Sequence, residues 1–584
     1  MTEPSSRPRS SCPIDNCIGT SLTAGGECLE HASEDQFATF LESLQHGDSI
    51  AFRNTQIHAQ RFSQVLEALR DPGGRPILGT ASFQNSTFHG AVNFRQALFT
   101  ERGTFTRATF KHSVSFDGCR FSGRANFIRC NFNRTVKFTR TNFDDGSSFW
   151  GTGFEEEVFF AGARLRGRAK FSDCRFAGGT RFSDTTFEGR VSFRNCIFAA
   201  ATFTNVTFGS GLTFRWSEMS GRFQFTGVSI HETLDIAETR FSSTVEIGPA
   251  ACRNEVIATN SNWANGARIS VATPRIDLSQ ARFEKSLALN VRYAAITLEG
   301  STFEEASVIT GVPPFEFSAP DGRVRLDESA VADSTGVDTP SIVSLRRADL
   351  ANLALSNVAL TKCQFSESHN LDKLRIDGDA RFGRSPHGWR RSSKFPYFSH
   401  WIDRKVINEE RQWRRQNGWR RPWSNDRRRT SVHLASADSI AQVYRSLRKA
   451  QEESRNDPGA ADFYYGEMEM RRHSQNTPRA ERLIIWLYWV TSGYGLRASR
   501  AIVILSAAIL STSWATVNFG FTGHAPSFTS TLMYYLESMV SIRNDGLGST
   551  QFNTVGAALR LFLKVVGPVA LALSILAVRN RVKR

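Results

Sequence analysis

The chain is 584 residues long, with 72 Lys+Arg against 56 Asp+Glu and a formal net charge of +16. That length excludes a single small domain and leaves room for several. The first residues are polar with no apolar run, so they read as lacking a secretory signal.

Residues 8–35 carry CPIDNCIGTSLTAGGECLEH. Cys12, Cys17, Cys28 and His31 stand in the pattern C-x4-C-x10-C-x2-H, two close pairs of soft ligands across a Gly-rich loop. Too few apolar residues lie here to fold the segment without a staple. Three thiolates and an imidazole suit a tetrahedral structural Zn2+ with no open position, which argues against catalysis at the metal. Thiols retained in this way point to a reducing compartment. Residues 36–80 read as a helical, capping region.

Residues 81–310 read as a β-helix, in which phenylalanine recurs at alternating steps of five and six from Phe83 to Phe198, beginning Phe83, Phe88, Phe94, Phe99, Phe105 and Phe110. Leu165 takes one turn, and the ladder resumes at Phe171. Two steps make an 11-residue unit, and two units make a 22-residue coil with four corners. The residue two before each Phe is small, as at Ala81, Ser86, Ala97, Ala108 and Ala125. One large and one small inward position per step fill a narrow square tube, with polar residues between them facing out. Cys119, Cys130, Cys174, Cys196 and Cys363 occupy the small slot and read as core filler, with Cys252 near the same register. The repeat loosens after Ile257, breaks at 311–341, which reads as a loop insertion, and returns over 342–380 with a plain five-residue step from Leu345 to Phe365.

The ladder resembles the pentapeptide-repeat proteins, in the variant A-x-F-x-x-A-x-F-x-G. The resemblance implies a right-handed quadrilateral parallel β-helix. Some members of that family imitate DNA with an acidic surface. Here residues 83–257 carry 22 Lys+Arg against 16 Asp+Glu, which excludes that role.

Residues 381–430 form a basic, Trp-rich segment, with 15 Lys+Arg and four acids between Arg381 and Arg429. Trp389, Trp401, Trp413, Trp419 and Trp423 are interleaved. Nucleic acid would meet cations and rings through phosphates and stacking. An anionic membrane surface would meet them equally well. The hydrophobic C-terminus favours the membrane. Residues 436–482 read as a helical connector, broken at Asn456-Asp457-Pro458-Gly459. Its charged run of Glu467, Glu469, Arg471 and Arg472 reads as a solvated or partner-facing helix surface.

Residues 483–584 read as a membrane module. It opens with an aromatic-rich interfacial segment over 483–495, and its spans lie at about 501–521 and 557–578. Arg560 and Lys564 share one face of the second span and either snorkel or face a protein interior. Flanking cations at Arg497, Arg500, Arg579 and Arg581 place both termini in the cytoplasm. The connector and this module resemble those of largely uncharacterised actinobacterial pentapeptide-repeat membrane proteins. Some of these carry a two-helix channel module. This chain departs from it, because SIRNDGLGS with Arg543 stands where a potassium filter would read TVGYG.

No G-x-G-x-x-G follows a strand, no nucleophile elbow occurs, and the 12 His are scattered. The reading is therefore a cytoplasmic solenoid tethered by two helices to the anionic inner leaflet of the cell membrane. It would act as a scaffold for an unidentified protein partner and could self-associate, with nucleic acid disfavoured. The runner-up is an oligomeric pore or degenerate channel gated through the β-helix. A membrane-associated oxidoreductase rests only on a label given to proteins of this kind.

Overall fold

A computed structural model describes residues 11–319, 322–336, 338–391, 398–401, 403–418, 423, 435–540 and 551–582. The chain divides into two compact units, Met1–Phe382 and Gly383–Arg584. Trp419, the 424–430 stretch and the SIRNDGLGS run with Arg543 lie outside the described residues.

The first unit is a parallel β-solenoid. One face is a 13-stranded sheet running from Ile50–Ala51 to Ser341–Ser344, so the tube has thirteen coils. At a strand spacing of about 4.8 Å it is about 60 Å long. A single coil contributes four short strands, as in Gly103–Thr104, Thr109–Phe110, Val114–Ser115 and Arg120–Phe121, which gives four sides.

Register follows the ladder. Ala81 pairs with Gly103, Gly103 with Ala125 and Ala125 with Ser147, each partner lying one full coil along the chain. Later coils shorten. The pairing of Thr186 with Thr207 closes a coil that has lost one residue, and the pairings of Trp263 with Phe283 and of Phe283 with Phe303 close coils that have lost two. This shortening is why the alternation of five and six gives way to a plain step of five.

Inward rings stack coil on coil. Phe94, Phe116, Phe138 and Phe160 form one column, with centroids 4.9, 5.0 and 4.9 Å apart. Neighbouring columns meet edge to face, as Phe105 meets Phe116 at 5.6 Å and 85°, the arrangement that ring quadrupoles favour.

The small slot does more than save space. At alternate steps its hydroxyl or thiol donates to a backbone carbonyl of the preceding coil. Cys119 Sγ donates to the Phe94 carbonyl at 2.8 Å, Thr141 Oγ1 to Phe116 at 2.7 Å and Cys196 Sγ to Phe171 at 2.9 Å. The buried polar hydrogens at those steps are thereby satisfied, whereas Ser147 Oγ and Thr180 Oγ1, in the small slot of the other steps, make no hydrogen bond among the described residues. Burial holds the thiols of Cys119 and Cys130 protonated by pushing their pKa values well up. None of the nine cysteines, all of them described, forms a disulfide.

Corners place non-glycine residues in the left-handed region, among them Arg107 (φ 58°), Arg129 (φ 54°) and Arg140 (φ 53°). That conformation costs an L-residue about 1–2 kcal/mol, which the stacking of coils offsets.

The tube starts before the ladder does. Ile50 pairs with Ala81 and Ile57 with Phe88, closing a first coil longer than any of the ladder coils. The extra length is the helix α2 (Ala59–Ala68), which follows α1 (Glu34–Ser43). Phe62 of α2 meets Phe83, Phe88 and Phe94 edge to face at 5.6, 5.5 and 5.3 Å, filling the first layer of the core.

The insertion at 311–341 is more than the loop expected from its Gly and Pro content. Glu316–Ala319 and Gly322–Arg325 form an antiparallel hairpin, and α3 spans Ser329–Thr335. Phe315, Leu326 and Val331 pack on Ala251, Ala272 and Tyr293 of the coils. The buried Glu328 fastens the insertion by accepting from Arg292 Nη1 at 2.5 Å and from the Phe315 amide at 2.9 Å.

The second unit holds two small antiparallel pairs, then helices α4 (Asn408–Gln416), α5 (Ala437–Glu453), α6 (Asp457–His473), α7 (Arg479–Ser492), α8 (Ala498–Phe519), α9 (Phe528–Val540) and α10 (Thr554–Val582). Asn456 caps α6 by accepting from the Gly459 amide, so the Asn-Asp-Pro-Gly run starts a helix as its chemistry dictates. Ser499–Phe519 and Thr554–Ile575 are 21 and 22 residues long and apolar enough to cross a membrane. Helix α10 continues through Pro568. The Arg560 guanidinium lies over the rings of Tyr534 and Phe552, at 5.7 and 5.8 Å.

Candidate metal centre and a buried charge cluster

The four residues singled out at the N-terminus converge. Ser11 bridges Thr20 and Ser21 bridges Cys28 in antiparallel fashion. The Cys12 amide donates to the Gly19 carbonyl at 2.8 Å, and the His31 amide to the Cys28 carbonyl at 3.1 Å. These turns bring the ligand atoms of Cys12, Cys17, Cys28 and His31 within 4.8 Å of one another. Cys12 Sγ lies 3.7 Å and Cys28 Sγ 3.4 Å from His31 Nδ1, and the sulfurs of Cys17 and Cys28 are 3.8 Å apart. Among the described residues this is the one group of its kind, and its donor set can hold a metal ion.

Backbone amides already point at the sulfurs. The Cys28 amide donates to Cys12 Sγ and the Gly19 amide to Cys17 Sγ, both at 3.4 Å. Burial opposes ionisation of Cys12, but hydrogen bonds from the Ile14 and Cys28 amides, His31 and Cys17 outweigh it and bring the pKa to about 7. Burial pushes the Cys28 thiol up to about 12. Space at Gly19 is tight, since a Cβ there would stand 3.1 Å from Cys28 Cβ and 3.2 Å from its sulfur. The knuckle is tied to the first coil. The Thr20 amide donates to the Arg53 carbonyl at 3.0 Å, and Arg61 Nη1 to the Leu29 carbonyl at 2.9 Å.

A second constellation was not legible in the sequence. Arg404 Nη2 donates to both carboxylate oxygens of Glu410, at 2.6 and 2.8 Å, and Arg414 Nε reaches the same carboxylate at 2.6 Å. The Tyr444 hydroxyl adds a fourth bond at 2.5 Å. Arg414 then continues to Glu469 at 2.9 Å, where Arg472 and the Tyr494 hydroxyl also converge. All seven side chains are buried or nearly so. Gly466 admits the Tyr444 ring, since a Cβ there would sit 2.6 Å from Tyr444 Cζ.

Burial alone would raise the carboxyl pKa values here. The guanidiniums of Arg404 and Arg414 beside Glu410, and of Arg472 and Arg414 beside Glu469, hold both below the usual carboxylate range. Burial pushes the neighbouring His473 down to about 4.

Two expectations are corrected by this cluster. The run Glu467, Glu469, Arg471 and Arg472 is not a solvated helix surface: Glu467 and Glu469 are buried, the first facing Arg448 Nη1 at 3.2 Å. Nor does the basic Trp-rich segment lie wholly at a surface. Arg404, Arg414 and Trp423 are buried, and the Arg414 guanidinium stacks on the Trp423 ring at 4.7 Å. A partner as far upstream as Arg414 is from Glu469 is invisible to a local reading of charge. The one local hint was Glu410 and Arg414, four apart on a helix.

The family model described as Pentapeptide repeats (9 copies) matches residues 77–120, 116–164 and 160–207. No curated protein and no solved structure matches the chain. The first unit of this protein is thus a parallel β-solenoid of thirteen coils, and over residues 77–207 its coils match pentapeptide repeats.

Proposed function

We propose that the protein is a membrane-anchored scaffold, a cytoplasmic interaction platform held at the inner face of the cell membrane by its two C-terminal apolar helices, and not an enzyme. The observation that carries this reading is the exposure of those helices. Only 22% of the apolar window of Ser499–Phe519 and 17% of that of Thr554–Ile575 is buried. A core helix of a soluble protein would be mostly buried. Here Val503, Trp514, Leu561, Val565 and Val569 stand open, as lipid-facing side chains do. Arg497, Arg500 and Arg579 at the ends of these helices support cytoplasmic termini. Arg560 supports an anchor over an oligomeric pore, because rings of its own protomer take up its charge. The solenoid's inward positions are filled by stacked rings, so its outer faces are what remain for partners.

Alkaline carbonate washing of membranes tests the anchor, and the protein should stay in the pellet. In intact cells an impermeant thiol reagent should label His524→Cys, between the two helices, and leave Glu452→Cys in α5 unlabelled until lysis. Labelling of Glu452→Cys in unbroken cells would invert the topology.

The knuckle is proposed to hold a structural zinc ion through Cys12, Cys17, Cys28 and His31. A tetrahedral site with Zn–S near 2.3 Å and Zn–N near 2.05 Å has S···S edges of about 3.8 Å and S···N edges of about 3.6 Å. The separations of 3.8, 3.7 and 3.4 Å support that geometry. The bound ion would cross-link the turns and expose no coordination position to substrate. Metal analysis of gently purified protein should give one zinc per chain, and finding none would remove the proposal.

A further inference from the structure

Helix α7 is apolar on both of its sides. One side is packed: Ile485 and Ser492 are buried, and Tyr488 and Trp489 join a cluster with Tyr465 and Tyr494. Trp489 Nε1 donates to the Tyr465 hydroxyl at 3.1 Å, and its ring meets the guanidiniums of Arg472 and Arg500 at 4.6 and 5.5 Å. The other side is open. Leu483, Ile484, Trp486 and Leu487 are 58, 65, 46 and 47% exposed. At about 100° per residue these four span an arc of about 160°. No acid stands in that arc. Glu481, the helix's one acidic residue, lies on the far side and pairs with Arg471 at 2.6 Å.

An apolar arc of that width ordinarily faces a core. The next segment of the chain identifies the occupant. The turn Gly493-Tyr494-Gly495 leads directly into α8, whose Ile502 and Val503 carry exposed apolar surface onward into the first candidate span. Cations flank the arc: Arg479 stands exposed in the first turn of α7, and Arg500 has no carboxylate within ion-pair distance among the described residues. Tryptophan in the arc, cations at its borders and a span immediately after it are the marks of a helix seated at a lipid–water boundary.

We propose that α7 lies in the plane of the membrane as a monotopic helix, with Leu483, Ile484, Trp486 and Leu487 set into the lipid surface. It would be a third membrane-seated element that crosses nothing. This rests on the anchor reading above. It adds that the bilayer is in direct contact with the helix whose inner side carries Trp489, and so with the packed aromatic cluster behind it.

The test is photo-crosslinking of the full chain in vesicles of phosphatidylcholine with phosphatidylglycerol. The photoreactive residue p-benzoylphenylalanine is placed at Ile484 or Leu487, at Val503 as the lipid-facing reference, and at Glu452 as the water-facing reference. Phospholipid adducts at positions 484 and 487 should match those at 503 within about twofold and exceed those at 452 by about tenfold. Dimer or intrachain adducts at 484 and 487, with lipid adducts retained at 503, would overturn the proposal and assign the face to a second copy or to another part of the chain. Absence of lipid adducts at 503 as well would defeat the anchor reading itself and this inference with it.

Discussion

The phenol of Tyr494 donates to Oε1 of Glu469 at 2.9 Å. This bond joins the turn that leads into the first apolar helix to the connector helix α6. Tyr494→Phe removes one charge-assisted hydrogen bond and should cost about 1–2 kcal/mol. Glu469→Ala leaves the largely buried Arg472 without its carboxylate and Arg414 with Glu410 alone, and should cost about 3–5 kcal/mol. Thermal unfolding of the detergent-solubilised protein measures both. Equal effects would mean that Glu469 does not neutralise the two guanidiniums.

The same cluster predicts acid sensitivity. His473 donates from Nδ1 to the Glu469 carbonyl at 2.8 Å, and burial lowers its pKa to about 4. The unfolded chain binds the proton near pH 6.5, so it carries more protons than the folded one between those values. The stability that neutral His473 contributes is therefore full above about pH 6.5 and falls as the pH drops toward 4. Denaturation midpoints measured from pH 7 to pH 4 should decline, and His473→Phe should flatten the decline. A variant with an unchanged slope would assign the acid sensitivity to other groups.

Within the solenoid, Phe138 stacks between Phe116 and Phe160 at 5.0 and 4.9 Å. Phe138→Ala should cost about 3–5 kcal/mol, and Phe138→Asp more, because the carboxylate would enter a dry core. Arg140 is exposed and pairs with Asp117 at 3.0 Å. Arg140→Gln should cost under about 1 kcal/mol. Indistinguishable unfolding of the Phe138 and Arg140 variants would refute the inward assignment.

At the knuckle, Cys28→Ser replaces the most deeply buried of the proposed ligands. It should abolish zinc retention and speed proteolysis within residues 11–32, while the Phe ladder keeps its unfolding midpoint. Gly19→Val should weaken zinc retention by crowding Cys28 while leaving all four ligand residues in place. Full zinc content in both variants would place the metal elsewhere.

The parts of the fold legible in sequence are those whose partners recur at a fixed interval. Each ladder Phe meets its equal one coil away, so periodicity alone reveals the contact. The two apolar helices were legible because lipid asks only for length and apolarity. The four knuckle residues stood out through spacing and composition. The first coil was hidden because α2 lengthens it and Phe62 enters the core from a helix. The bond from Cys119 to the Phe94 carbonyl was hidden because backbone partners leave no mark in side-chain pattern. Glu469 was misread because its neighbours on α6 are charged, whereas its environment is set by the distant Arg414.

The coil length has a consequence for how this gene product can grow or shrink. In the early coils the interval from Phe99 to Phe121 recurs from Phe121 to Phe143, whereas Trp263, Phe283 and Phe303 keep a shorter one. Excising one early interval removes one whole turn and returns every later residue to its former kind of slot. An excision of the same length after Trp263 overshoots the shorter turn by a pair of residues. Each large inward residue then lands in the slot built for a small one. Copy number can thus drift by duplication and loss in the early coils in units of two repeat modules. In the late coils only the shorter interval preserves the frame, so the two halves of one tube are under different rules of inheritance.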